Sequence, residues 1–117
     1  MATAPRQYVV HRAGEVEYQP MLIDGEQVGE ADTLRDEGSR GNAHEACFWR
    51  THAPAQYEYF FSGDESFYVL EGSVTIELME TGERVELRAG DAASFPMGTR
   101  SIWTFGEPFK KFTVISS

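Results

Sequence analysis

Histidine and cysteine are the residue types that most often carry metal or nucleophilic chemistry, and this sequence holds few of them. Cys47 is the only cysteine, which excludes an internal disulfide and a multi-cysteine metal site. His44 and Glu45 begin like the zinc motif of a metalloprotease helix, but Phe48 stands where the second histidine is required. His52 is expected in a loop at the end of a strand. The sequence therefore offers no histidine cluster for a metal.

Length, composition and charge limit the number of domains and the classes of partner. The 117 residues, 41% of them hydrophobic and 13% aromatic, fit one globular domain with one core. Ten basic against nineteen acidic residues give a net charge of −9, which argues against nucleic acid or an anionic membrane surface as a partner. No stretch has the length of a signal peptide core or a membrane span. We expect a soluble, cytoplasmic protein.

The elements that must position any site are short β-strands. From Ala46 onward, β-branched and aromatic runs alternate with turn residues, which is typical of an antiparallel sandwich or barrel. The apolar residues Val74, Ile76 and Leu78 recur at a period of two, which places them on one face of a strand. The fold class is mainly β, and the eight predicted strands cover residues 46–52, 56–61, 66–71, 73–80, 83–88, 92–95, 101–105 and 110–115.

The first part of the chain has a different pattern. Residues 24–40 carry six acidic and two basic side chains and predict a surface loop with at most a helical turn. We therefore divide the single domain into an irregular N-terminal segment, residues 1–45, with room for edge strands, and a core, residues 46–117.

Two segments, residues 63–74 and 90–103, carry a spacing of turn residues that indicates a family. Glu65 lies seven positions before Gly72, and Gly90 is followed by Pro96 and Gly98. Both segments resemble the paired motifs of the cupin superfamily (RmlC-like). The resemblance implies a single cupin barrel, that is, a double-stranded β-helix or jelly roll of two antiparallel sheets.

Further residues narrow the resemblance to one group of cupins. The chain is similar to a small single-domain subfamily, mostly of unknown function, related to ureidoglycine aminohydrolase and to ethanolamine-utilisation cupins. The matching residues are Trp49, Asp64, Glu65, Tyr68, Val69, Leu70, Glu71, Gly72, Gly90, Asp91, Ala92, Phe95, Pro96, Gly98, Thr99, Trp103, Lys110 and Lys111.

The metal ligands of the superfamily are missing. Many cupins hold a divalent metal with two histidines and the glutamate of the first motif and a histidine of the second. Here Glu65 is the only one of these ligands present, because Ser101 stands at the second-motif histidine. The paired histidine positions fall on Glu58 and Phe60, or alternatively on Tyr59 and Phe61. We therefore expect no metal and no cofactor.

The resemblance points Glu65 into the barrel, and strand alternation then sorts its neighbours. Facing inward with Glu65 we expect Phe67 and Val69, with Tyr68 outside. Further inward residues are expected to be Glu58 and Phe60 as one pair, Ser101 and Trp103 as another, and Trp49 as a wall. An enclosed carboxylate has a raised pKa unless a cation compensates, and Lys111 or Arg100 is the candidate cation.

Two functions fit this predicted pocket. One is metal-independent binding of a small polar metabolite, with Trp49, Glu58, Phe60, Ser101 and Trp103 as ligand contacts. The other is an enzyme, metal-independent or metal-assisted: a lyase, isomerase or hydrolase of a small polar or nitrogenous substrate, with Glu65 as acid or base and Lys111 or Arg100 as its electrostatic partner. Glu65 also has a purely structural interpretation, as a salt-bridged carboxylate. Tyr59 and Tyr68, expected on exposed sheet faces, together with the N-terminal segment favour a homodimer.

Overall fold

The computed structural model describes residues 8–117, which form ten β-strands and no helix. None of these residues lies in a helix long and apolar enough to cross a membrane. The strands are β1 (Gln19–Ile23), β2 (Glu26–Glu37), β3 (Ala43–Thr51), β4 (Ala55–Phe60), β5 (Asp64–Glu71), β6 (Ser73–Leu78), β7 (Arg84–Arg88), β8 (Ala92–Phe95), β9 (Arg100–Phe105) and β10 (Phe109–Ser116). All eight predicted strands are present as β3 to β10, so the mainly β fold class is confirmed.

The strands form two antiparallel sheets that face each other. One sheet has six strands in the order β1-β2-β3-β10-β5-β8, and the other has four in the order β4-β9-β6-β7. Within residues 8–117 no hydrogen-bonded strand pair joins the sheets. The jelly roll predicted from the sequence is therefore confirmed, but its sheets are not closed into a barrel.

The core fills the space between the sheets and is largely aromatic. Trp103 lies at its centre, with its ring 5.4 Å from that of Phe67 and 6.2 Å from that of Phe61. Ring pairs in such tilted arrangements contribute beyond the area that they bury. Gly72 joins β5 to β6 with a φ of 78°, and a Cβ there would meet the carbonyl of Pro108, so only glycine fits this turn.

The predicted surface loop over residues 24–40 is wrong, because most of it is β2. This strand pairs with β1 on one side and with β3 on the other. Two of its acidic side chains have polar partners: Glu30 forms an ion pair with Arg50 at 3.0 Å, and Asp32 lies 2.6 Å from the Nδ1 atom of His11. The backbone ladder with β3 thus imposes a strand on residues whose own propensity is low.

Candidate functional site

A cavity opens between the two sheets, beside β1 and β2 at one edge of the six-stranded sheet. Its interior leaves about 50 Å³ to the centre of a water-sized sphere, and all empty space out to its open mouth amounts to about 490 Å³. The larger figure includes solvent at the mouth, so it is an upper bound on the size of an occupant. The lining residues come from both sheets and are Met21, Ile23, Val28, Glu45, Cys47, Trp49, Tyr57, Tyr59, Glu65, Trp103, Phe105, Lys111, Thr113 and Ile115.

The floor of the cavity is the inner face of β3, β10 and β5. Antiparallel pairing places residues of these three strands side by side in rows, and every second row points inward. The three inward rows beneath the cavity are Trp49 with Lys111 and Val69, Cys47 with Thr113 and Phe67, and Glu45 with Ile115 and Glu65.

Glu65 is fully buried and accepts three hydrogen bonds. The ammonium of Lys111 and the hydroxyl of Thr113 each donate to Oε2 at 2.7 Å, and the hydroxyl of Tyr59 donates to Oε1 at 2.5 Å. Burial by itself would raise the pKa of Glu65, but the charge of Lys111 and these hydrogen bonds outweigh it and lower the pKa below its usual value. Glu65 is therefore held as a carboxylate.

Lys111 is buried among aromatic rings. Its Nζ lies 4.5 Å from the ring centroid of Trp103, 4.7 Å from that of Phe67 and 5.3 Å from that of Trp49. A cation over the faces of such rings is attracted by their quadrupoles. The rings and Glu65 together compensate the ammonium for the water that it has lost.

The wall opposite the floor consists of β4 and β9. It presents aromatic rings to the cavity, and the polar atoms of these side chains are hydrogen-bonded within the protein. The Tyr57 hydroxyl lies 3.0 Å from the Thr51 hydroxyl. The indole of Trp103 donates to Ser101 Oγ at 3.0 Å, and that hydroxyl donates to the Tyr59 carbonyl at 2.8 Å. The hydroxyl of Ser101 therefore links the Trp103 side chain to the backbone of β4.

The structure brings most of the predicted site residues together. Glu65, Lys111, Trp49 and Trp103 line the cavity, and Ser101 is buried beneath its wall. The predicted inward direction of Phe67 and Val69 is confirmed by their burial, and Tyr68 is 48% exposed, as expected. Arg100, the alternative cation, is exposed.

Two predicted residues, Glu58 and Phe60, do not reach the cavity. Both side chains are exposed on the outer face of β4, so their prediction as an inward pair is wrong. Tyr59, expected on an exposed face, points inward instead. The register of β4 against β9 places Tyr59 beside Ser101, and this pairing turns the other set of side chains outward.

Glu45, Cys47 and Thr113 are cavity residues that the sequence analysis did not propose. The signal for them was present: Glu45, Cys47 and Trp49 alternate along one strand, and Thr113 follows Lys111 by two positions. The pair His44-Glu45 was considered only as a failed helix motif. Burial and the charge of Glu45 raise the pKa of the Cys47 thiol to about 12.

Glu45 is the second carboxylate of the cavity, in the place that the sequence assigned to Glu58. It is half-buried and is separated from Glu65 in its row by Ile115. Burial first, and then the negative charge of Glu65, raise the pKa of Glu45, while Lys111 lowers it by less. Within residues 8–117 Glu45 takes part in no side-chain hydrogen bond or ion pair.

The residues of the cavity do not fit the metal that many cupins hold. Across the part of the chain described, no three His, Cys, Asp or Glu side chains are grouped so that they could hold an ion. Moreover, an ammonium and two hydroxyls occupy the oxygens of Glu65, the only remaining family ligand. His52 lies outside the cavity, where it contacts Glu30 at 3.1 Å.

Comparison with protein families gives one match. The sequence profile described as the EutQ-like cupin domain covers residues 39–112, which run from β3 to the first half of β10 and include most of the cavity floor and the wall. This match confirms the resemblance inferred from the motifs. A comparison with curated proteins finds no match.

Solved structures share the fold. A DUF861 family protein from Thermotoga maritima is 27% identical, over 56% of this chain and 73% of its own, with a TM-score of 0.53. A Salmonella typhimurium protein assigned to ethanolamine utilisation, EutQ, is 18% identical over 86% of this chain and 94% of its own, with a TM-score of 0.64. The polyketide cyclase RemF from Streptomyces resistomycificus is 20% identical over 95% of this chain and 80% of its own, with a TM-score of 0.73.

Proposed function

The chain belongs to the family of EutQ-like cupin domains, and on that premise we propose that it binds a small molecule, without a metal, in the cavity between its sheets. The observation that carries the proposal is a buried ion pair, Lys111 with Glu65, beneath an open cavity with aromatic walls. Small-molecule sites are mostly apolar clefts with a few polar groups. A buried ion pair contributes little to stability compared with apolar packing, so a binding role accounts for it better.

The alternative, an enzyme with Glu65 as acid or base, is less favoured by the geometry. A group that exchanges protons during catalysis works best with a pKa near the operating pH. The pKa of Glu65 is lowered, and Lys111, Thr113 and Tyr59 already donate to three of its about four lone pairs. RemF, a polyketide cyclase, shares the fold at 20% identity, and one fold carries many activities.

The two tryptophans of the chain provide the test, because both line the cavity. A library of small polar and aromatic compounds is screened with ¹H-¹⁵N spectra of the protein. We expect compounds that bind to shift the indole signals of Trp49 and Trp103. Binders that leave both indole signals in place, or a library of several hundred compounds with no binder, would contradict the proposal.

A matched pair of variants makes the test specific. Cys47→Leu enlarges a side chain of the cavity floor and is expected to weaken binding, whereas Glu58→Gln changes an exposed carboxylate outside the cavity and is expected to bind as the unmodified protein does. Signal dispersion shows whether each variant is folded. Equal weakening in both variants would contradict a site in the cavity.

Self-association and a cytoplasmic location stay predictions. The homodimer is supported by the outer face of the six-stranded sheet, where Tyr68 is 48% exposed beside Phe112. Phe112 packs edge-on against Phe48 at 5.1 Å on the same face. Sedimentation of the protein and of Tyr68→Lys at several concentrations tests it, and a monomer at about 100 μM would contradict the prediction.

A further inference from the structure

We propose that Glu45 selects the ligand of this cavity, and that this ligand is a protonated amine on a small apolar body. The inference rests on the function proposed above and specifies the chemistry of its ligand. It depends on three features of the cavity: which polar atoms are already bonded, which one is free, and what charge remains.

The polar atoms of the wall and floor are largely engaged within the protein. Glu65 accepts from three donors, the Tyr59 hydroxyl is one of those donors, and the Tyr57 hydroxyl is bonded to that of Thr51. The indole of Trp49 donates to the Val28 carbonyl at 3.1 Å. A molecule that enters therefore meets mainly ring faces and aliphatic side chains, to which an apolar body is matched.

The carboxylate of Glu45 is the acceptor left free. It lines the same cavity, and among residues 8–117 no side chain is hydrogen-bonded or ion-paired to it. A half-buried carboxylate has lost part of its hydration, and without a donor from the protein that part is not replaced. A ligand that brings a donor to this position recovers that loss.

The charge of the cavity distinguishes an amine from a hydroxyl. Lys111 supplies one positive charge against the two negative charges of Glu45 and Glu65, so one negative charge remains uncompensated. Asp36 adds a negative charge near Glu45, and the whole chain carries −9. A hydroxyl and an ammonium could both donate to the carboxylate, but only a monocation also neutralises the remaining charge.

Three probes with the same ring test the proposal: benzylamine, benzyl alcohol and benzoate are a cation, a neutral molecule and an anion at pH 7. Binding is measured from the indole signals of Trp49 and Trp103. We expect benzylamine to bind at least about tenfold more tightly than benzyl alcohol, and benzoate to bind most weakly.

Glu45→Gln keeps the shape of the side chain and removes its charge. We expect this variant to bind benzylamine about tenfold or more weakly, with benzyl alcohol changed less than about twofold. Glu58→Gln, an exposed carboxylate removed elsewhere, is expected to leave all three affinities unchanged. If Glu45→Gln does not fold, Glu45→Asp keeps the charge and is expected to retain the preference for the amine.

The outcomes separate this inference from the proposed function. If all three probes shift the indole signals equally, or if Glu45→Gln keeps the preference for benzylamine, the cavity is a ligand site but Glu45 does not select an amine. If none of the three probes shifts the indole signals, the amine inference is overturned. The proposed function is then decided by the library screen described above.

Discussion

Lys111→Met removes the cation of the buried pair and leaves the Glu65 carboxylate uncompensated. Breaking such a pair on one side costs about 3–5 kcal/mol, because a charge stays buried without its partner. Tyr59 and Thr113 still donate to Glu65, and Glu65 can take up a proton once Lys111 no longer lowers its pKa. We therefore expect the free energy of unfolding at pH 7 to fall by about 3 kcal/mol, at the lower end of that range.

The second half of the experiment is a double-mutant cycle with Glu65→Gln. The single variant leaves the ammonium of Lys111 among the rings without its carboxylate, and we expect a loss of similar size. The double variant contains neither charge. We expect it to be less destabilised than the sum of the two single variants by at least about 2 kcal/mol, because each single variant leaves an unpaired charge and the double variant leaves none.

Urea unfolding, followed by tryptophan fluorescence and circular dichroism, measures these free energies. Lys110→Met is the matched control, because Lys110 contacts Glu71 at 3.6 Å on a partly exposed surface, where such pairs contribute about 0–1 kcal/mol. If Lys111→Met is no more destabilising than Lys110→Met, or if the two single losses simply add in the double variant, the coupling inferred from the structure is refuted.

Further predictions concern three other positions and the pH dependence of stability. The lowered pKa of Glu65 stabilises the fold at pH values above its ordinary pKa of 4.5, and this stabilisation is lost as the pH falls through the pKa of Glu65 in the folded protein. In Glu65→Gln the free energy of unfolding should therefore decrease less steeply with falling pH. The raised pKa of Glu45 means that its charge destabilises the fold at neutral pH. Glu45→Gln should therefore increase the free energy of unfolding at pH 7 by less than about 1 kcal/mol, and this gain should vanish below about pH 4.5. A gain that does not depend on pH would contradict this cause. Cys47, with its pKa raised to about 12, should react with a disulfide reagent at pH 8 only when urea unfolds the chain, and rapid labelling of the folded protein would contradict its burial. Gly29→Ala should destabilise by about 2 kcal/mol or more in urea unfolding, because φ is +64° there and a Cβ would lie 2.6 Å from the Trp49 ring; an unchanged midpoint would contradict that close approach.

The sequence alone predicted β3 to β10 and offered Lys111, with Arg100 as the alternative, as the cation beside Glu65. Alternation such as that of Val74 and Ile76, with glycine turns between runs, is a property of neighbouring residues, and β3 to β10 follow from it. The family resemblance implied that Glu65 points inward, and a buried carboxylate calls for a cation, for which Lys111 and Arg100 were the candidates.

The tertiary structure decided that residues 26–37 form β2, which face of β4 points inward, and where Glu45 lies. The charged residues of β2 form a strand because β1 and β3 supply its hydrogen bonds. In β4 the tyrosines alternate with Gln56, Glu58 and Phe60, so alternation by itself favours the tyrosines inward. The inward prediction of Glu58 and Phe60 followed the histidine positions of the family instead, and the register that pairs Tyr59 with Ser101 overturns it. Glu45 reaches the row of Glu65 only because β10 pairs with both β3 and β5. Periodicity is local to a strand, whereas register is fixed by hydrogen bonds between residues far apart in the chain, and that register determines which side chains share the cavity.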